Sequence, residues 1–194
     1  MPEEYEAVEV TSRDAWRRWL QSHHGSSRGV WVTTYKKAAG ERYVPYDEIV
    51  EEALAFGWID SRRRRVDEQR SQLLVTPRKP RSGWSRINKE RVERLEAAGL
   101  MTEAGRRAIA VAKENGAWSA LDDIENLVEP DDLREELDAD PKARRHWDAF
   151  PRSAKRAILD WIAAAKRDET RRRRVSETAR LAAQNVRANE PAQR

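Results

Sequence analysis

The chain contains no cysteine, which excludes disulfides and thiolate metal sites. No stretch approaches the ~18 continuous apolar residues that a membrane-spanning helix needs. The opening Met-Pro-Glu-Glu-Tyr-Glu is acidic and lacks the apolar run of a secretion signal, so the cytoplasm is the expected compartment. A glycine-rich phosphate loop, a dinucleotide fingerprint and a nucleophile elbow are all missing. Histidine is scarce. His23 and His24 are adjacent and so point different ways on a helix, while His146 is distant, so neither a metal set nor a cofactor is expected.

Against these absences stand eight tryptophans in 194 residues, with 39% hydrophobic and 37% charged residues. Chains rich in large aromatics are not disordered, so a core partly built of indoles is expected. The net charge is only +4, but it is distributed in blocks. Residues 61–81 carry net +6, residues 121–140 net −9 and residues 166–180 net +4. Such blocks steer charged partners, or they pair with one another between lobes or within a dimer.

Periodicity divides the chain near residue 82 into an α+β lobe (residues 1–82) and a helical lobe packed on it (residues 83–194). Thr11 to Asp14 reads as a helix cap, followed by Trp16, Trp19, Leu20 and His23 at helical spacing up to Gly25. Residues 29–37 are β-branched and aromatic, as in a strand. Pro45 opens a helix lined by Ile49, Ala53 and Phe56 that Gly57 ends. Residues 58–66 and 72–76 read as two short strands, so the sheet is small and antiparallel. Beyond Trp84 the period is helical throughout: Ile87, Arg91 and Leu95 step along one helix, Thr102 caps the next, and Pro130 and Pro141 start two more. The stripes Ala154–Ile158–Trp161–Ile162–Ala165 and Val175–Ala179–Ala182–Val186 suggest a closing helical hairpin, with fraying from Asn189 onward.

Chemistry concentrates between Trp58 and Asn88. Trp58 and Asp60 alternate with Ile59, so the first two share a sheet face. Trp58 suits a core or pocket wall, and Asp60 beside Arg62 and Arg64 reads as a salt bridge that orders the arginine run. The run Arg62 to Arg65 fits phosphate, carboxylate or a nucleic-acid backbone through guanidinium forks. It equally fits a charged edge strand protected against aggregation. Arg78, Lys79 and Arg81 stand between prolines that stiffen them. Ser82 or Ser85 is expected to cap the following helix, whose free amides would join Arg78, Arg81 and Arg86 in an anion site, with Asn88 one turn inside. The run Arg171 to Arg174 spreads around a helix and reads as a solvated or acid-paired face.

Gly57-Trp58-Ile59-Asp60, Thr76-Pro77-Arg78-Lys79-Pro80-Arg81-Ser82 and Trp84-Ser85-Arg86-Ile87-Asn88, with Glu93-Arg94-Leu95 behind them, resemble the bacterial YdeI/OmpD-associated family, also labelled bacteriocin-protection. Gly29-Val30-Trp31-Val32, Lys36-Lys37, Ala164-Ala165-Lys166 and Glu169-Thr170-Arg171 fit the same pattern. The sequence departs from that pattern at Ser61, where glycine is common, and at Leu74, where a basic residue is common. The resemblance implies a role in envelope or toxin stress.

Three functions are consistent with these residues. The preferred one is a non-enzymatic stress-protection factor that holds a small anionic ligand or an acidic protein surface. Its cleft would be framed by Trp31, Trp58 and Trp84, with Arg62, Arg64, Arg78, Arg81, Ser85, Arg86 and Asn88. The second is an enzyme acting on an anionic small molecule with Asp60 as its acid–base group, and the third is a nucleic-acid binder.

Overall fold

The computed structural model describes residues 5–189; the expected fraying of the C-terminus falls, from residue 190 on, outside them. The chain divides into two compact units, Met1–Ala120 and Leu121–Arg194.

The first unit is α+β. Its elements are β1 (Ala7–Glu9), α1 (Arg13–His23), β2 (Val30–Tyr35), α2 (Tyr46–Ala55), β3 (Trp58–Arg65), β4 (Arg70–Pro77), α3 (Arg86–Ala97) and α4 (Glu103–Glu114). A 3-10 segment, Lys37–Arg42, links β2 to α2. The sheet order is β1-β2-β4-β3, antiparallel from β2 to β3. The three-residue β1, too short to show a period, runs parallel to β2 and departs from the all-antiparallel expectation.

Helix starts follow local chemistry. Ser12 accepts from the Ala15 amide at 3.1 Å, Ser85 from Asn88 at 3.4 Å and Thr102 from Gly105 at 3.4 Å. Each side chain satisfies an amide that the first helical turn leaves without a backbone acceptor. The apolar faces of α1 and α2 (Trp16, Leu20, Ile49, Leu54) share one core with Val30, Val32, Trp58, Leu73 and Val75 of the sheet and with Trp84, Val92 and Leu95. Within it Trp16 Nε1 donates to the Ile49 carbonyl at 3.0 Å. Glu52, 1% exposed, is clamped by Arg13 and Arg17 at 2.6 Å each, so a buried charge is fully paired where α1 meets α2. Gly57, at φ +74°, turns the chain from α2 into β3, a conformation that glycine adopts without steric cost.

A bulge in β3 decides where the arginines go. Asp60 pairs with Val75 but Arg63 pairs with Leu73, so Ser61 and Arg62 together face Leu74. One extra residue reverses the alternation beyond it. Asp60 and Arg63 therefore share the face that carries the core, while Arg62 and Arg64 turn to the opposite face with Trp31.

The second unit is helical: α5 (Asp122–Glu125), α6 (Asp131–Asp138), α7 (Pro141–Ala149), α8 (Arg152–Ala163) and α9 (Asp168–Ala183). Its own core holds Leu133, Leu137, Trp147, Ile158, Ile162 and Val175. Helices α8 and α9 form the expected hairpin, with Val186 lying beyond it and 46% exposed. The acidic block pairs inside this unit: Asp132 with Arg171 at 2.8 Å, Glu125 with Arg156 at 3.0 Å and Glu129 with Arg144 at 2.7 Å. No helix among the described residues is long and apolar enough to cross a membrane.

Candidate functional site

Where β4 ends, Arg78 is tied back by its amide to the Gly57 carbonyl at 3.0 Å. Lys79 and Ser82 close a turn, with the Ser82 amide donating to the Lys79 carbonyl at 2.9 Å. The turn places the Arg78 guanidinium over the indole of Trp84, 3.8 Å from its centre. Nη2 of Arg78 donates to the carbonyls of Ser82 and Gly83. Its Nε and Nη1 are buried and have no acceptor among the described residues. Burial strips this guanidinium of water and pushes its pKa down to about 10, an effect that the charge of Asp60 opposes. It stays cationic at neutral pH.

Trp84 is 1% exposed and packs on Trp118 with ring centres 5.0 Å apart. The ammonium groups of Lys89 and Lys113 lie 5.4 and 5.2 Å from the centre of the Trp118 ring. Three cations thus surround two indoles packed at a tilt of 44°. Ser85 caps α3 just behind, and Asn88 Oδ1 accepts from Arg91 Nη1 at 2.9 Å. Arg91, 9% exposed, also binds Asp47.

Asp60 is not held by the arginine run. Its Oδ2 accepts from the Tyr46 hydroxyl at 2.8 Å, and the bulge turns Arg62 and Arg64 to the other face, which corrects the salt bridge expected there. Tyr46 is pushed up to about 12, first by desolvation of its hydroxyl and then by the hydrogen bond to Asp60. The Arg63 guanidinium stacks on the same phenol ring, 4.7 Å from its centre.

Trp31 is on the opposite face of the sheet from Trp58 and Trp84, so the three indoles do not frame a common cleft. Arg64 lies 3.9 Å and Arg62 5.9 Å from the centre of the Trp31 ring. Arg64 Nε donates to Gln72 at 2.7 Å, and Gln72 donates to Thr33 at 2.8 Å. The stems and guanidinium planes of the arginines roof this sheet face, leaving Trp31 8% and Leu74 3% exposed. β3 is also an edge strand, where charge discourages pairing with another chain. Trp58 belongs to the core, donating to the His24 carbonyl at 3.2 Å. Arg81 and Arg86 are exposed.

The corner therefore brings together Arg78, Trp84, Ser85 and Asn88. It adds Trp118, Lys113 and Arg91, which sequence reading did not assign to the site. Arg91 carried a signal: it stood at core spacing before Leu95, where an arginine needs a buried partner. Nδ1 of His23, His24 and His146 donates to the carbonyls of Trp19, Leu20 and Ala182 at 2.7, 2.9 and 2.9 Å. No cluster of His, Cys, Asp or Glu among the described residues could hold a metal ion.

Comparison with known families divides the chain in a similar way. Residues 8–108 match a domain of unknown function (DUF8412), and residues 126–185 match the family described as Bacteriocin-protection, YdeI or OmpD-Associated. Of the motifs quoted above, Ala164 to Arg171 fall in the second match and the tryptophan–arginine motifs in the first. No curated protein and no solved structure gives a significant match. The residues 126–185 are thus similar to the bacteriocin-protection, YdeI or OmpD-associated family, and the chain as a whole belongs to the family of this domain of unknown function, whose model spans residues 8–108.

Proposed function

We propose that the protein is a non-enzymatic, cytoplasmic protection factor acting under envelope or toxin stress, and that it works by holding a small anion at the Arg78–Trp84 corner. The observation that carries this reading is the state of Arg78: a cation at neutral pH with two buried N–H-bearing nitrogens lacking an acceptor among the described residues. An unmet buried donor costs ~1–3 kcal/mol, and more on a charged group. A phosphate or carboxylate oxygen reaching Nε and Nη1 recovers that cost through a charge-assisted fork. The capped start of α3 favours negative charge at the same place, and Arg81 and Arg86 supply an exposed cationic approach. Seating the anion requires the turn 79–83 to open, since both nitrogens are covered.

Isothermal titration with inorganic phosphate and with acetate, comparing the wild type with Arg78→Met, tests the reading. Saturable binding that the variant loses supports it. Binding that survives the substitution, or its absence from the wild type, refutes it.

A further inference from the structure

A second feature of the first unit is independent of that corner. Between the end of β2, the 3-10 segment, the start of α2 and the bulged part of β3 lies a cavity of about 260 Å³. Its floor is apolar, from Val44, Ile49 and Leu73, and Thr34 and Ser71 add hydroxyl-bearing residues to its lining. Lys36, Lys37 and Arg63 supply three cations, and no acidic residue among the described ones lines it. Lys36 is held at the side by the Glu68 carbonyl at 2.7 Å. Among the described residues, neither Lys37 nor Arg63 has a carboxylate within salt-bridge distance.

The bulge creates the arrangement, because it turns Arg63 toward α2. There the guanidinium stacks on the Tyr46 ring, and Tyr46 is held in place by its hydrogen bond to Asp60. Stacking uses the flat face of a guanidinium and leaves its N–H edges for a carboxylate or phosphate. An apolar floor with convergent cations is the usual composition of a site for a small molecule that has an apolar body and one charged end.

We propose that this cavity binds a small organic anion, an aromatic or branched carboxylate, with its acid group on Arg63 and Lys37 and its apolar body over Ile49 and Leu73. A bare inorganic anion would leave the floor unused, and a neutral analogue would leave the cations unmet. Both are therefore expected to bind more weakly.

The test is amide NMR on the full chain, titrated separately with benzoate, acetate and benzyl alcohol. Benzoate is expected to give saturable shifts at Thr34, Lys37, Ile49 and Ser71, and to bind about tenfold more tightly than either of the others. Arg63→Gln and, on a separate element, Lys37→Gln are each expected to weaken benzoate binding about tenfold. Both positions are exposed, so the fold is expected to tolerate these changes. Benzoate shifts that are absent, that benzoate shares equally with acetate, or that neither variant weakens, overturn the proposal. Shifts confined to Arg78, Trp84 and Ser85 do so too, and would locate binding at the other corner.

Discussion

The guanidinium of Arg78 lies 3.8 Å from the centre of the Trp84 ring, while its Nε and Nη1 are buried without an acceptor among the described residues. Arg91, Arg144 and Arg174 each have one such nitrogen among the described residues, and Arg78 has two. Arg78→Met keeps the stem against the indole and removes the unmet charge. Replacing a buried charge by an apolar side chain of similar volume is often neutral or stabilising. The variant is therefore expected to unfold within about 1 kcal/mol of the wild type in urea, while losing the anion binding proposed above. A large loss of stability would instead mark Arg78 as a structural residue.

Arg64 roofs Trp31, and Arg64→Ala tests that roof. Removing a guanidinium stacked at 3.9 Å is expected to cost about 1 kcal/mol. It also uncovers Trp31 and Leu74 beside an edge strand. Increased binding of a hydrophobic dye and faster aggregation are the expected readouts; unchanged dye binding would show that the run does not shield this face.

Tyr46 gives a pH signature. Its folded pKa is raised from 10.0 to about 12, by desolvation first and by Asp60 second. A group raised in the folded state contributes stability that is complete below its unfolded value and is lost as pH rises through the folded one. Stability is thus expected to fall between pH 10.0 and about 12, with Tyr46→Phe flattening that part of the profile. The residue is 40% exposed, so the effect is modest. Asp60→Asn is expected to lower the midpoint of the Tyr46 tyrosinate absorbance.

In the second unit Glu129 accepts from Arg144 at 2.7 and 2.8 Å and from Trp147 Nε1 at 2.7 Å. Those hydrogen bonds, the one from Arg144 foremost, hold its carboxyl below the ordinary 4.5 although burial opposes them. A depressed carboxyl contributes stability above its unfolded value and loses it as pH falls through the folded one. Glu129→Gln is expected to cost about 2 kcal/mol at neutral pH, with the variant and wild-type unfolding curves converging in acid well below pH 4.5. Parallel curves at every pH would contradict this.

What the sequence made legible was local. The caps at Ser12, Ser85 and Thr102 could be read because a hydroxyl and the amide it serves lie three residues apart. The strands of the β3–β4 hairpin and the edge position of the arginines followed from composition and alternation. The bulge at Ser61–Arg62 could not be read, since nothing in Ser-Arg-Arg-Arg-Arg marks where alternation slips, and it alone reverses which arginines meet Asp60. Tyr46–Asp60 and Asp47–Arg91 join positions 14 and 44 residues apart, fixed only when α2 packs against β3 and α3. The cavity of Lys37 and Arg63 escaped for the same reason: its walls come from β2, the 3-10 segment, α2, β3 and β4.

The central claim is that Arg78 meets an anion, and its side-chain Nε–Hε NMR resonance reports on this most directly. Titration of the wild type with inorganic phosphate is expected to move that resonance and the Trp84 indole signal together and saturably. Both responses should disappear in Arg78→Met. An Arg78 resonance that stays fixed while phosphate binds elsewhere, or does not bind, would contradict the account.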